Sequence, residues 1–161
     1  MSMALLETVQ GFQRIDGQLA TAGQPTAEQL DGLAAAGIAH VINLALPTST
    51  DAVADEAVRV TGQGLNYLQL PVNWEAPEVA QFQRFCQLLW VLREEQVFVH
   101  CARNKRVSAF IFLYRVLHEG VAVSEAAGLM HRIWEPNAAW LEFIETILKP
   151  AGEFYRLPGA A

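Results

Sequence analysis

Cysteine is scarce in this sequence: Cys86 and Cys101 are the only two in 161 residues. They form no C-x-x-C pair, which argues against a disulfide framework or a thiolate zinc site. The histidines, His40, His100, His118 and His131, match neither H-x3-H nor H-E-x-x-H, so a metal site has little support. Long apolar runs are missing as well. No stretch approaches the roughly 18 uninterrupted apolar residues of a membrane span. The N-terminal MSMALLETVQ lacks a basic segment and places Glu7 where a signal peptide would stay apolar. Positive charge is in deficit, 11 Lys and Arg against 17 Asp and Glu, which speaks against a general nucleic-acid-binding surface. Aspartate is confined to Asp16, Asp31, Asp51 and Asp55. These absences lead us to expect a reduced, cytoplasmic protein.

What is present is a core. With 52% apolar and 17% charged residues, the chain can bury the interior of one domain, expected over residues 1–161. Short β-rich runs are read at Phe12 to Asp16, Gln18 to Thr21, Ala39 to Ala45, Asn66 to Leu70 and Gln96 to His100. The first ten residues suit a short helix. Further helical patterns lie at Thr26 to Ala36, Asp51 to Thr61, Pro77 to Arg93, Val107 to His118, Val123 to Ile133 and Asn137 to Leu148. Alternating strands and helices predict an α/β fold with a mainly parallel central sheet flanked by helices on both faces. Active sites of such sheets lie at the carboxyl ends of strands, and Cys101 ends one of them.

The few basic residues are concentrated there. The stretch VHCARNKRVSAF places Arg103, Lys105 and Arg106 within four positions of one another. A buried strand that turns through a polar loop into a helix gathers several backbone N–H groups around one point. The helix start adds positive potential, so the loop can cradle an anion. A cysteine at its first position is placed to react as thiolate. An arginine near its end can bind two anion oxygens with its planar fork. Asn104, mid-loop, tolerates left-handed backbone better than most residues. Plainer readings stand beside these. Arg103 and Lys105 also suit a solvated face. Ser108 also suits the first turn of a helix. Cys86, Trp134 and Trp140 read as packing residues, and Gln24 as a turn residue.

His100-Cys101 before a basic loop, with Ser108-Ala109 opening an apolar helix, resembles the protein tyrosine and dual-specificity phosphatases. Upstream, IDGQLATAGQPT (15–26), Leu30 and AGIAHVINL (36–44) resemble a bacterial branch. That branch includes the phosphatase-like domain of beta-lactamase-hydrolase-like proteins. The resemblance implies a cysteine-phosphatase-like fold and cofactor-free hydrolysis of a phosphomonoester through a phosphocysteine. Cys101 is then the nucleophile, Arg106 the charge-stabilising arginine and His100 a hydrogen-bonding support of the loop. Ala102, Arg103, Asn104, Lys105, Val107 and Ser108 form the substrate loop, and Ser108 assists release of the thiolate. The expected partner is a phosphorylated small molecule or a phosphoprotein.

Two departures from the family pattern leave other readings open. The family motif is H-C-x5-R-S/T, with glycine three residues after the cysteine. Here Asn104 takes the glycine position, Val107 takes the arginine position, and Arg106 falls one residue early. On a helix one residue is a turn of about 100°, so the guanidinium must approach from another side or the loop must tighten. No aspartate follows Asn66, and the loop expected to hold a general acid, PVNWEAP (71–77), offers only Glu75. The C-x4-R spacing also fits a rhodanese-like sulfurtransferase carrying a Cys101 persulfide. A non-catalytic phosphate-binding module is the third reading.

Overall fold

The computed structural model describes residues 2–158. Among them a five-stranded sheet runs in the order β1-β2-β5-β3-β4. Its strands are β1 (Gln13–Arg14), β2 (Leu19–Ala22), β3 (His40–Asn43), β4 (Asn66–Gln69) and β5 (Val97–His100). Only the β1–β2 pair is antiparallel; the others are parallel, as the alternating pattern requires. The helices are α1 (Ser2–Glu7), α2 (Ala27–Asp31), α3 (Glu56–Thr61), α4 (Val79–Val91), α5 (Lys105–Glu119), α6 (Val123–His131) and α7 (Ala138–Leu148).

The period-two alternation of the buried strands sorts the core into two layers. Leu19, Ile42, Val97 and Val99 face a cluster built with Phe82, Phe85, Phe110, Leu113, Met130, Trp140 and Phe143 of α4 to α7. Ala20, Ala22, Val41 and Phe98 face the other cluster, built with Leu6, Leu30 and Val60 of α1 to α3 and Leu33 just beyond α2. The same alternation decides where the last residues of β5 go. His100 shares the side of Phe98, toward α3, and Cys101 joins the layer beneath α5.

Several elements are shorter than their apolar patterns suggest. Helix α2 opens on a capping box between Thr26 and Gln29, but its regular part stops at Asp31. Beyond it the amides of Gly32, Leu33 and Gly37 bond three residues back, giving tighter turns up to Gly37. Helix α3 starts at Glu56 rather than near Asp51, because Asp51 itself is left-handed, with φ 63°. Helix α4 starts at Val79, two residues after Pro77. Helix α5 starts two residues earlier than its apolar run, at Lys105, and this alters the geometry of the loop before it. No helix is long and apolar enough to cross a membrane among the described residues.

Candidate active site

The central strand β5 ends at His100 and α5 begins at Lys105, so Cys101 to Asn104 make the whole turn between them. Asn104 closes it in the left-handed conformation, φ 64°, which is where a glycine would otherwise be favoured. Its side chain is fully buried and donates to the Gly11 carbonyl at 2.7 Å and to Thr21 Oγ1 at 3.2 Å. On the outer side the loop is stitched to the exit of β2. Cys101 N–H donates to Ala22 O at 3.4 Å, and Gln24 N–H donates to Ala102 O at 3.0 Å. Gly23 allows that approach, since a Cβ there would lie 2.8 Å from Ala102 O and 3.1 Å from Arg103 Cα.

On the inner side the backbone is left open. Ser108 N–H finds Asn104 O at 2.8 Å, the first helical bond of α5; the amides of residues 102–107 find no acceptor among the described residues. Unpaired amides at the start of a long helix, wrapped around a cysteine, form an anion cradle. The side chain of Cys101 is at its floor, 1% exposed.

Because α5 begins at Lys105, residues 106 and 107 are both helical, and the turn between them separates their fates. Val107, in the family's arginine position, points into the core and is fully buried. Arg106 faces the cleft instead. It lines an open cavity of about 450 Å³ together with Cys101, Ala102, Arg103, Lys105 and Trp74, opposite Leu46, Thr48, Ser49 and Thr50. Arg106 is 5% exposed and donates from Nη1 to the Val72 carbonyl at 2.9 Å. That bond spans from α5 to the loop after β4 and fixes the plane of the fork. The early arginine therefore shares the cleft with the cysteine.

Trp74, which lines the cleft, is backed by two further tryptophans. The Trp74 ring lies 5.2 Å from that of Trp134 and 5.9 Å from that of Trp140. Trp140 Nε1–H donates to the Trp74 carbonyl at 2.8 Å, and Trp134 Nε1–H donates to Ser108 Oγ at 3.1 Å. The Ser108 hydroxyl in turn donates to Lys105 O at 3.0 Å, the first-turn role that serine commonly takes. Lys105 Nζ sits 5.9 Å from the Trp74 ring centre and 5.7 Å from that of Trp134, held over both π-faces. Arg103 is exposed and reaches Gln10 Oε1 at 3.5 Å and Asp51 Oδ2 at 3.9 Å.

The structure thus brings Cys101, Ala102, Arg103, Lys105 and Arg106 together in one cleft. Asn104, Val107 and Ser108 lie behind it, shaping the loop or filling the core. Glu75 is exposed next to Trp74, its N–H accepted by Asn73 Oδ1 at 2.9 Å, and is not among the residues that line the cleft.

Behind the loop His100 meets Glu56, a residue that the sequence reading missed. His100 is fully buried and stacks on Phe98; its Nε2 lies 2.5 Å from Glu56 Oε2, and its Nδ1 lies 3.2 Å from Cys101 O. Gln24 Nε2 donates to Glu56 Oε1 at 2.8 Å, and the Tyr67 hydroxyl lies near this carboxylate. Burial alone would raise the Glu56 carboxyl, but His100, Gln24 and Tyr67 outweigh it and hold the group below its ordinary value. Burial, with the Glu56 charge adding to it against the Asn43 bond, pushes Tyr67 up to about 12. The missed signal was a carboxylate on an apolar stripe: Glu56 shares a helix face with Val60, and both are buried.

Cys86 lines a separate groove of about 850 Å³ between α4, α5 and α7, with Trp90, Leu117, His118 and Ile147. Burial pushes its thiol up to about 12, the behaviour of an unreactive packing cysteine.

A family model described as DSP-PTPase phosphatase fused to NAD+ kinase matches residues 9–140. No curated protein matches the chain. Among solved structures, a putative phosphatase (DUF442) from Shewanella putrefaciens CN-32 is 28% identical, with a TM-score of 0.82 over 94% of this chain and 99% of that one. Tk-PTP in its active form is 24% identical, with a TM-score of 0.66 over 87% of this chain and 95% of that one. The core catalytic domain of the PP-IP phosphatase SIW14 from S. cerevisiae shares the fold at 16% identity, with a TM-score of 0.72 over 89% of this chain and 92% of that one. With most of its length inside the family model, this chain belongs to the tyrosine and dual-specificity type of phosphatase family, in the branch described as fused to NAD+ kinase.

Proposed function

We propose that the chain hydrolyses a phosphomonoester through a phosphocysteine on Cys101. The observation that carries this reading is the ring of unpaired amides at residues 102–107 around the Cys101 side chain, with the Arg106 guanidinium in the same cleft. The ester's phosphoryl oxygens take the place those amides leave open. Cys101 thiolate attacks phosphorus, the S–P bond forms, and the bond to the leaving oxygen breaks. The amides and Arg106 stabilise the charge on the remaining oxygens. Water then attacks phosphorus, the S–P bond breaks, and inorganic phosphate leaves with Cys101 again a thiolate.

The leaving oxygen needs a proton unless its alcohol is acidic. Glu75, the residue after Trp74 of the cleft lining, is the proposed donor. Arg103 and Lys105 add positive charge to the walls, which suits a phosphorylated small molecule or phosphoprotein with further anionic groups beside the ester. The Shewanella relative, named a putative phosphatase, supports phosphatase activity.

Arginine five residues after cysteine also supports a second reading, sulfur transfer through a Cys101 persulfide. Two turnovers on one preparation separate them: p-nitrophenyl phosphate hydrolysis, and thiosulfate-to-cyanide sulfur transfer, each with Cys101→Ser beside the wild type. Cys101-dependent phosphate release is the expected result. Cys101-dependent thiocyanate without phosphate release would replace hydrolysis with sulfur transfer. Protection of Cys101 from alkylation by inorganic phosphate, with neither turnover, would make the loop a binding module.

A further inference from the structure

The His100–Glu56 pair is set by donor and acceptor logic. Nδ1 of His100 faces the Cys101 carbonyl, which only accepts, so Nδ1 carries a proton. Glu56 Oε1 accepts from the Gln24 amide and Oε2 faces Nε2 at 2.5 Å, so one proton is shared between the carboxylate and the ring. The pair is buried, with 0% of the His100 side chain exposed against 5% for Glu56. A cation so deep in the protein persists only with its partner charge beside it. The other groups facing the pair are uncharged: Tyr67 of β4 near the carboxylate, Asn43 of β3 on Tyr67 at 3.0 Å, and Gln24.

We propose that Glu56 is a positioning residue for the nucleophile: through His100 it fixes the first peptide of the anion loop and places a positive charge behind Cys101. This inference rests on Cys101 being the reactive group, and its test needs no phosphatase turnover. The two ends of the pair belong to α3 and β5, so the helix packed on the opposite face of the sheet controls the loop. The cations on the cleft side, Arg103, Lys105 and Arg106, are untouched by changes at Glu56.

Glu56→Gln separates geometry from charge. Its side-chain amide can donate to an unprotonated Nε2 while Nδ1–H still reaches Cys101 O, so the bonds survive and the charge does not. The probe is the pH profile of Cys101 alkylation by iodoacetamide, resolved from Cys86 by peptide mass. For Glu56→Gln we expect the midpoint to rise by about one pH unit. Glu56→Asp, which keeps the charge, is expected to restore most of the wild-type profile. His100→Asn, whose amide mimics the Nδ1 donor without charge, is expected to rise like Glu56→Gln and serves if that variant does not fold. A wild-type midpoint in folded Glu56→Gln or His100→Asn would overturn the proposal. A shifted midpoint in a protein that hydrolyses no phosphate ester would leave it standing while removing the phosphatase reading.

Discussion

Replacing Asn104 separates the two tasks that this residue performs. It holds φ 64°, and its side chain makes two hydrogen bonds, to Gly11 O at 2.7 Å and Thr21 Oγ1 at 3.2 Å. A typical hydrogen bond contributes about 0.5–1.5 kcal/mol, so losing both costs about 1–3 kcal/mol. Left-handed backbone costs a residue with a Cβ a further 1–2 kcal/mol or so, a strain glycine escapes and asparagine partly offsets. Asn104→Ala is therefore expected to destabilise by about 2–5 kcal/mol, and Asn104→Gly by about 1–2 kcal/mol less. Urea unfolding of the three proteins under one buffer measures both differences. Equal midpoints for the alanine and glycine variants would refute the reasoning, because they would mean that the loop is not held left-handed at this position. Phosphate protection of Cys101 from alkylation should follow the same order, retained in Asn104→Gly and weakened in Asn104→Ala.

Other perturbations report on other parts of the site. Arg106→Gln removes the fork from the cleft, and a loss of about 100-fold or more in p-nitrophenyl phosphate turnover is expected from one missing charge-stabilising group; an unchanged kcat would exclude Arg106 from the chemistry. Glu75→Gln should slow an alkyl phosphate by about 10- to 100-fold while sparing p-nitrophenyl phosphate, whose leaving group needs no acid; equal losses on both substrates would remove Glu75 as the donor. Gly23→Ala pushes a methyl against Ala102 O and Arg103 Cα, and a cost of about 1–3 kcal/mol with a displaced loop is expected from thermal unfolding and turnover together. Glu56 sets part of the acid stability. Its folded value lies below its ordinary 4.5, so its contribution is present above that pH and is lost as pH falls through the folded value. Glu56→Gln should therefore flatten the stability curve below about pH 4.5, and an acid limb as steep as that of the wild type would contradict the assignment.

The parts of this site that were legible in the sequence are those fixed by neighbours in the chain. A β-rich run ending in His100-Cys101, a basic loop and an apolar helix are local features, and they gave the strand, the loop and the cysteine that lines the cleft. Asn104 was readable as a left-handed position because few other residues accept one. The early Arg106 was visible but its direction was not. Where α5 begins depends on how Asn104 closes the turn, and a start at Lys105 rather than Val107 sends Val107 into the core and Arg106 into the cleft. Glu56 was not read as functional, since only the sheet order places α3 under the end of β5. The tryptophan cluster was equally hidden: Trp74 is far in sequence from Trp134 and Trp140 and meets them only through packing and the bond from Trp140 Nε1–H to Trp74 O.

The central claim is a covalent phosphoryl group on Cys101 in a loop whose arginine comes one residue early. Rapid quench in acid during p-nitrophenyl phosphate turnover, followed by peptide mass spectrometry, reads it directly. The account predicts a phosphoryl adduct on the peptide containing Cys101 in the wild type, none on the peptide containing Cys86, and none in Cys101→Ser. Phosphate release with no adduct on Cys101 at any quench time, undiminished in Cys101→Ser, would contradict it.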